Sequence, residues 1–522
     1  MQDALRARKC LPAPNFEDQA VVCSTRNSSV LDENNENNEN KENSMSQRLD
    51  WRGSCRAIAI AATIVLCFVF TISAAGQDGS TGGNSASADS GVPLASADNT
   101  PASSTSMFVP DSSVVRSEDA GQRAHTNYVL RTINGVKPQP MARPGIGPLT
   151  TGTFPEIPAS LTCVYKVGPT YAGCSPASPY HFTFPNGGSN VIVLVDAFDN
   201  PNATSDIATF DSFWGLPAPP SFSVVYANGN GHCTTPPPNA GWALESSLDI
   251  EWAHAMAPKA NIVLVEACSN SNVDLYYAEL VAGSVAYSYG GGDISNSWGE
   301  GEYSGEITDD ANFFTYWSNV AYFASAGDSG CGAAYPSSSP WVVSAGGTTV
   351  NRNTTSEAFV SESCWSGSGG GISTVEQWSP SSTGFRGNGM GPWSAYQYPQ
   401  FGGYLSGTFR HTPDFAFDAD PNSGVWVYAG YNGGWFIVGG TSVASPSLAG
   451  IVNLAGNKLG QAPQGGGFYT NEENNLLYDQ LFAAKAYGAN FYDVKTGSNG
   501  CSVNVKWDYC TGVGSPRGLL GK

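Results

Sequence analysis

Short runs of consecutive apolar residues recur from about residue 155 onward, and segments of helical pattern lie between them. Such runs are typical of strands that are buried on both faces of a parallel sheet. The predicted strands are Asn190–Phe198, Asn261–Ala267, Asp293–Gly299, Val320–Asp328 and Trp341–Gly347. The predicted helices are Trp242–Met256, Asn272–Ser288 and Asp309–Ser318. This alternation predicts an α/β fold with a doubly wound, mostly parallel sheet and helices on both faces.

The N-terminal region has a different pattern. Residues 1–44 are polar and Asn/Glu-rich, a composition typical of disorder. The apolar run Ala57–Ile72 follows a basic flank and precedes the small residues Ser73-Ala74-Ala75, which together are features of a secretory signal peptide. We expect a signal peptide over residues 45–75, translation from Met45 and a secreted protein. The alternative is a signal-anchor helix, because the run approaches the length of a short membrane span.

Residues 76–150 are rich in small and polar residues, and we interpret them as a low-complexity linker or a short propeptide. The whole chain of 522 residues carries a net charge of -20, and only 13% of its residues are charged. Such a surface argues against nucleic acid and anionic membranes as partners. We therefore expect a monomer that contacts no membrane once the signal is cleaved.

Twelve cysteines occur, and eight of them follow residue 155. An even number in an exported chain predicts disulfides. We predict pairing in sequence order, which closes four local loops: Cys163–Cys174, Cys233–Cys268, Cys331–Cys364 and Cys501–Cys510. Zinc is disfavoured because no CxxC pair is present.

The stretch GGTSVASPSLAG places Ser442 directly after an apolar run, where it is either a nucleophile at a helix start or an ordinary hydroxyl in a Gly-rich turn. None of the five histidines lies in a motif typical of His-dependent serine proteases. If Ser442 is a nucleophile, we therefore expect its base to be another residue type.

Glu245 and Asp249 are four residues apart on a predicted helix, so their carboxylates share one face. Close carboxylates push their pKa values apart and can relay a proton at low pH. The alternative is a solvated helix face, but the apolar neighbours of these residues indicate burial. Asp328 ends a predicted strand, either as a turn residue or as an acid that faces the same crevice.

In this order, Glu245, Asp249, Asp328 and Ser442 resemble the motifs of the sedolisin, or serine-carboxyl peptidase, family. The stretches ISNSWGE, PSSSPWVVSAGGTTV, SGSGGGIS and TPDFAFDADP are also similar to family sequences, and the resemblance covers residues 155–522. It implies a peptidase domain of subtilisin-like fold. Ser442 would attack the peptide carbonyl, Glu245 would act as general base and then acid, Asp249 would hold Glu245, and protonated Asp328 would donate to the oxyanion. Trp298 would support the site.

The same resemblance implies one structural calcium ion near the C-terminus. Its ligands would be the carboxylates of Asp493 and Asp508 and the backbone carbonyls of Val494, Asn504 and Lys506. Hard oxygen ligands suit calcium. The family often has Gly where Asn504 and Lys506 stand, and the alternative is a disulfide-closed loop that holds no ion.

The resemblance thus implies a secreted, acid-active serine-carboxyl peptidase that acts on polypeptides. Two departures bear on this: Gly439 stands where many members have Ser, and the residues between Ala75 and about residue 155 leave no room for the large folded propeptide usual in the family. One alternative is a catalytically weak or inactive relative that binds partners outside the cell. The other is a His-dependent subtilisin-like protease. The presence of all four functional residues, Glu245, Asp249, Asp328 and Ser442, favours the active serine-carboxyl peptidase over both alternatives.

Overall fold

The strands and helices come from a computed structural model, which describes residues 107–132, 137–144, 154–177, 185–315, 317, 319–377, 397, 409–456, 461–464, 468–481 and 486–522. These residues all belong to one compact unit of the chain. The predicted extension over residues 1–44 and the predicted signal peptide over 45–75 lie outside the described residues. No helix among the described residues is long and apolar enough to cross a membrane.

The β-strands of the described residues share one numbering in chain order. They are β1 (Met107–Phe108), β2 (His125–Thr126), β3 (Val129–Arg131), β4 (Val191–Ala197), β5 (Phe222–Ala227), β6 (Asn261–Ala267), β7 (Gly292–Asn296), β8 (Trp298–Gly301), β9 (Val320–Ser325), β10 (Ala334–Tyr335), β11 (Val342–Arg352), β12 (Phe359–Cys364), β13 (Ile372–Gln377), β14 (Phe409–His411), β15 (Phe415–Asp418), β16 (Val425–Ala429), β17 (Gly434–Gly439), β18 (Gln461–Gln464), β19 (Phe468–Asn471), β20 (Phe491–Tyr492) and β21 (Ser515–Pro516).

The α-helices of the described residues are numbered in the same way. They are α1 (Pro158–Val164), α2 (Ala203–Trp214), α3 (Ala240–Met256), α4 (Asn272–Ser288), α5 (Glu306–Asp309), α6 (Thr441–Ala455), α7 (Glu472–Asp479) and α8 (Tyr487–Asn490). The side chain of Asn239 caps α3 by accepting from the backbone N–H groups of Gly241 and Trp242, which satisfies donors that the first turn leaves free.

The main sheet has eight strands in the order β12–β11–β9–β7–β4–β6–β5, and β15 pairs with β11 beside this path. Every pairing in this sheet is parallel except that of β11 with β12. The predicted doubly wound, mostly parallel sheet is therefore confirmed. Two smaller sheets border it, in the orders β1–β3–β17–β16 and β10–β8–β2.

The side chains of β4 alternate between two hydrophobic cores, one on each face of the sheet. Ile192 and Leu194 belong to the core that includes Leu248 of α3 and Leu448 of α6. Val193 and its neighbours belong to the core on the face of α4. Both faces are covered by helices, so β4 is apolar at almost every position, as expected for a central parallel strand.

Helix α6 lies directly against α3 because small residues allow close approach. A methyl group on Gly450 would lie 2.8 Å from the carbonyl oxygen of Ala253, so a larger residue would push the helices apart. Both helices carry predicted site residues, Glu245 and Asp249 on α3 and Ser442 on α6. Their packing distance therefore sets the distance between the acids and the serine.

The predicted helix Asp309–Ser318 is confirmed only as far as Phe314, and there it is not a regular α-helix. The structure has only the single turn α5, followed by a π-helix at Asp310–Phe314. The buried carboxylate of Asp310 accepts a hydrogen bond from Tyr335, and Phe314 packs edge-on against Tyr322. These tertiary contacts fix side chains that a regular α-helix would orient differently.

The predicted strand Asp293–Gly299 is divided at Ser297. The part before Ser297, β7, lies in the main sheet, and the part after it, β8, pairs with β2 and β10 in another sheet. This change of sheet directs the Ser297 side chain toward α3, where its hydroxyl bonds Asp249. Strand β5 and helix α2 were not predicted from the sequence.

Two of the four predicted disulfides are confirmed and two are wrong. Cys163–Cys174 and Cys233–Cys268 are bonded as predicted. The remaining four cysteines pair as Cys331–Cys501 and Cys364–Cys510, with Cα–Cα distances of 5.4 and 5.9 Å. The C-terminal chain packs beside both earlier cysteines: Cys331 N–H donates to Asn499 and Cys364 N–H donates to Thr496, each at 2.7 Å. Long-range packing thus overrides pairing between sequence neighbours.

Candidate active site

Ser442 lies at the second position of α6, immediately after the turn that follows β17. The turn residue Gly440 has φ 104°, a conformation that favours glycine. A methyl group there would lie 2.3 Å from the Asn127 carbonyl oxygen and 2.5 Å from Oδ2 of Asp328. Gly440 therefore allows a backbone carbonyl and a carboxyl group to approach each other next to Ser442.

The Ser442 side chain is fully buried. Its hydroxyl donates to the Ser297 carbonyl oxygen at 3.2 Å, and its backbone N–H donates to the Asn127 carbonyl oxygen at 2.9 Å. A backbone N–H that is directed at a carbonyl oxygen beside a serine hydroxyl is the donor arrangement of an oxyanion hole.

Glu245 and Asp249 face Ser442 from α3, and both are fully buried. Ser297 donates its hydroxyl to Oδ1 of Asp249 at 2.7 Å. Both carboxylate oxygens of Glu245 lack a hydrogen bond from the described residues, and so does Oδ2 of Asp249. The sequence placed these carboxylates on one helix face, and the structure buries that face toward α6.

Burial raises the pKa of Glu245 well above its ordinary value, and the neighbouring charges of Asp249 and Asp196 raise it further. The nearby Ser442 hydroxyl opposes this rise, although its hydrogen bond in this structure goes to the Ser297 carbonyl. Burial also raises the pKa of Asp249, with a further contribution from Asp196. Like charges in a dry site cannot all ionise, so this group retains protons at pH values where exposed carboxyls are charged.

Asp328 follows β9 and is held by Thr441, the first residue of α6. The backbone N–H and the hydroxyl of Thr441 donate to Oδ1 of Asp328 at 2.7 and 2.8 Å. Oδ2 accepts no hydrogen bond from the described residues and lies beside the Asn127 carbonyl. Burial raises the pKa of Asp328 to about 7, against the hydrogen bonds from Thr441. A neutral Asp328 can therefore donate from Oδ2 at acidic pH.

Asp196, which sequence reasoning did not assign to the site, is a further member of this carboxyl group. It is the second-last residue of β4, is fully buried, and accepts no hydrogen bond from the described residues at either oxygen. Burial raises its pKa to about 8. The sequence feature that could have identified Asp196 as a site residue is its position as an acid near the end of an apolar predicted strand. Trp298 donates its indole N–H to the Val195 carbonyl at 2.9 Å, next to Asp196, so it contacts this strand rather than the acids on α3.

The described histidines do not supply a base for Ser442. His254 bonds Asp211 at 2.8 Å, and His411 bonds the Tyr509 hydroxyl at 3.0 Å. His125 and His232 bond the Thr126 carbonyl and Asp274. Carboxyl groups, rather than imidazoles, therefore surround the serine.

The residues predicted to hold calcium lie in the C-terminal loop, and their oxygens are engaged by protein groups. Asp493 accepts from the Lys506 backbone N–H at 2.7 Å and pairs with the Lys495 ammonium at 3.1 Å. Oδ1 of Asp508 accepts from the backbone N–H groups of Cys510 and Thr511. The Thr511 hydroxyl also lies at hydrogen-bond distance from both Asp508 oxygens.

One of the three predicted carbonyl ligands, that of Lys506, is engaged as well. The Tyr487 hydroxyl lies 2.9 Å from the carbonyl oxygens of both Lys506 and Val513. Burial raises the pKa of Tyr487, and the charges of Asp493 and Asp508 raise it further. Calcium needs six to eight oxygens that face one point, and protein donors already bond oxygens of Asp493, Asp508 and Lys506. The described residues also contain no group of three His, Cys, Asp or Glu side chains placed for a metal ion. Three of the five predicted ligand residues therefore bond protein groups, and a calcium ion at this loop stays a prediction.

Comparisons with known proteins agree with this fold. The chain is 27% identical over 417 residues to kumamolisin of Bacillus sp. (strain MN-32), and the matched region covers 75% of this chain and 69% of kumamolisin. It is 26% identical over 361 residues to sedolisin of Pseudomonas sp. (strain 101), and the matched region covers 63% of this chain and 57% of sedolisin. No family model matches the chain.

The solved structure of Pseudomonas sedolisin, described as a serine-carboxyl proteinase complexed with two molecules of pseudo-iodotyrostatin, shares the fold. It superposes with a TM-score of 0.53 at 20% identity and covers 70% of this chain and 96% of its own. Fold and relatives together define a serine-type peptidase with the subtilisin-like architecture. In sequence, the chain is similar to members of the sedolisin family.

Proposed function

We propose that the protein is a secreted, acid-active serine-carboxyl peptidase that cleaves polypeptides through an acyl-enzyme on Ser442. One observation carries the proposal: the Ser442 N–H and the free Oδ2 of Asp328 both lie beside one peptide carbonyl. Behind the serine lie the unpartnered carboxylate of Glu245 and the Asp249 carboxylate, which Ser297 holds by Oδ1. A binding protein has no need to bury four acids around a hydroxyl, because each burial costs free energy.

In this mechanism the Ser442 hydroxyl attacks the substrate carbonyl carbon and transfers its proton to Glu245. Asp249, held by Ser297, shares a proton with Glu245 and keeps it oriented. The Ser442 N–H and the protonated Asp328 donate to the developing oxyanion. Glu245 then gives the proton to the leaving amine. A water molecule, deprotonated by Glu245, hydrolyses the acyl-enzyme and restores the serine.

The pH dependence follows from the state of each acid. Asp328 donates only while protonated, so activity falls as the pH rises through its pKa of about 7. Glu245 accepts only while ionised, so activity also falls when the pH drops below the lower apparent pKa of the coupled Glu245–Asp249 pair. The rate should therefore peak in the acidic range, and we expect an optimum at roughly pH 3–5 if that lower pKa stays near ordinary carboxyl values.

Hydrolysis of an unfolded protein substrate between roughly pH 2 and 8, a span that covers ordinary carboxyl and His titrations, tests the proposal. We expect an acidic optimum for the wild type and no turnover for Ser442→Ala. Ser445→Ala is the matched control, because Ser445 lies one turn later on α6 and bonds Ser295 instead of the site. A correctly folded wild type that is inert over the whole range would support the binding-protein alternative.

A further inference from the structure

Residues 125–130 run in extended form past Ser442, between two strands that border it. On one side, β2 pairs antiparallel with β8, with His125 opposite Gly299 and Thr126 opposite Trp298. On the other side, β3 pairs antiparallel with β17, with Leu130 opposite Val438 and Val129 opposite Gly439. An extended segment that adds to strand edges in this way binds as peptide ligands bind to sheet edges.

The backbone of Asn127 lies at the point where these two pairings meet. Its N–H donates to the Ser297 carbonyl at 3.1 Å, and its own carbonyl oxygen accepts from the Ser442 N–H at 2.9 Å. The same oxygen lies next to Oδ2 of Asp328, across the space that Gly440 leaves open. The Asn127 carbonyl thus occupies the place where the proposed mechanism requires the scissile carbonyl.

The side chain of Asn127 fills a small buried pocket. Its Nδ2 donates to Oγ of Ser325 at 2.7 Å, and the residue is only 1% exposed. A methyl group on Gly299 would lie 3.3 Å from this Nδ2, so the pocket wall closes tightly around the amide. Ser325, the last residue of β9, therefore accepts a hydrogen bond from the side chain of Asn127, the residue whose carbonyl lies on the Ser442 N–H.

The residue after this peptide bond is held equally firmly. The Tyr128 hydroxyl donates to the Gly241 carbonyl at 3.0 Å, and Tyr128 is 1% exposed. Upstream, the hydroxyls of Ser112 and Ser113 bond Thr126 at 3.0 and 2.8 Å. Residues on both sides of the Asn127–Tyr128 bond are thus fixed by side-chain contacts as well as by strand pairing.

We infer that Asn127–Tyr128 is the bond this peptidase cleaves in its own chain, and that the pocket of Ser325 and Gly299 selects asparagine before the scissile bond. This rests on the proposed function and adds a cleavage site and a substrate class to it. Before cleavage Ser442 is fully buried and its N–H is bonded to the Asn127 carbonyl, so the uncleaved chain excludes other substrates. No large folded propeptide is needed for this block, because residues 107–127 supply the occupant.

The reaction balances with water as the only co-reactant. Ser442 Oγ bonds the Asn127 carbonyl carbon, the carbon–nitrogen bond to Tyr128 breaks, and the serine proton passes through Glu245 to the Tyr128 amine. Water then splits the ester, which leaves a carboxylate on Asn127 and restores the Ser442 hydroxyl. The chain that continues from Tyr128 keeps β3 and all later elements.

The first test follows self-cleavage in the full chain. The purified protein is brought to about pH 4, near ordinary carboxyl pKa values, and new N-termini are identified by mass spectrometry. We expect an N-terminus at Tyr128 in the wild type and an intact junction in Ser442→Ala. Asn127→Leu keeps a similar size but loses the amide, and should slow cleavage at this bond at least about tenfold, the scale of a lost buried hydrogen bond. The exposed Ser117→Ala variant should be processed like the wild type.

The second test measures specificity in trans, with processed enzyme and a peptide of residues 122–133. We expect kcat/KM to fall at least about tenfold when Leu replaces the Asn of the peptide, as for a site built to bond a polar group. Ser325→Ala should reduce the ratio of kcat/KM for the Asn peptide to kcat/KM for the Leu peptide. Cleavage of an unfolded protein at acidic pH, without a Tyr128 N-terminus and without preference for Asn, would overturn this inference and leave the proposed function intact. Absence of all Ser442-dependent hydrolysis would overturn both.

Discussion

Two acidic regions of this chain, the group around Ser442 and the C-terminal loop, differ in how their carboxylates are hydrogen-bonded. Glu245 and Asp196 keep both oxygens without hydrogen bonds from the described residues, and Asp328 keeps one. In the C-terminal loop, Asp493 and Asp508 have protein partners on both oxygens. From the sequence, both regions had the same kind of evidence for a function.

The difference separates a chemical role from a structural one. Nearly all buried polar atoms in folded proteins are hydrogen-bonded, so a cluster of exceptions needs an explanation. Around Ser442 the free oxygens can move protons and bind an oxyanion. In the loop, the oxygens hold backbone N–H groups and thereby fix the chain that carries Cys501 and Cys510.

The largest effect that would sharpen the comparison is loss of turnover. Ser442→Ala and Glu245→Ala should each abolish hydrolysis of an unfolded protein, and the double variant should be no worse, because the residues act as one unit. Asp493→Ala, a carboxyl removed from the other region, should retain a large part of the activity of the wild type. Equal losses in both regions, with folding checked by circular dichroism, would contradict the division into chemical and structural acids.

The second effect concerns the alkaline side of the pH profile. Asp328→Asn keeps a donor but removes the titration that ends activity as the pH rises through about 7. We expect a lower maximal rate, but a decline that no longer follows that titration. The measurement is kcat/KM between roughly pH 3 and 9, around ordinary carboxyl and His pKa values. An unchanged alkaline limb would assign that limb to another group.

The third effect is on stability. Burial raises the pKa of Asp196 to about 8, so the folded state holds a proton that the unfolded chain releases near the ordinary Asp value. The stabilisation is complete below that ordinary value and is lost as the pH rises through about 8. Asp196→Asn should therefore be more stable than the wild type above neutrality, and denaturant titrations at acidic and alkaline pH should show the gap widening. A gap that narrows with rising pH would mean that Asp196 is ionised in the folded protein.

A smaller effect is expected from Tyr487→Phe in the C-terminal loop. The hydroxyl bonds carbonyl oxygens of Lys506 and Val513, and its removal leaves both with one partner fewer. We expect a loss of about 1–3 kcal/mol in the free energy of unfolding, the usual cost of an unsatisfied buried group. Tyr431→Phe, at an exposed tyrosine, is the control and should leave stability nearly unchanged.

The smallest effect is expected from calcium. Because protein groups engage three of the five predicted calcium ligands, Asp493, Asp508 and Lys506, excess calcium and a chelator should give the same melting midpoint. A ligand that binds the folded state would raise that midpoint as its concentration increases. A clear fall on chelation, abolished by Asp508→Asn, would restore the calcium site predicted from the sequence and make the two acidic regions alike in having a functional role.

By itself, the sequence determined the sheet, the central strands and helices, and the four candidate residues Glu245, Asp249, Asp328 and Ser442, because apolar runs and helical spacing are local properties. Only the tertiary structure decided how Cys331, Cys364, Cys501 and Cys510 pair, what engages the predicted calcium ligands and which segment lies on Ser442. Each of these depends on chain segments far apart in sequence, such as Asn127 and Ser442. Local patterns carry no record of such contacts, since they arise only when the sheet brings its strand ends and loops together.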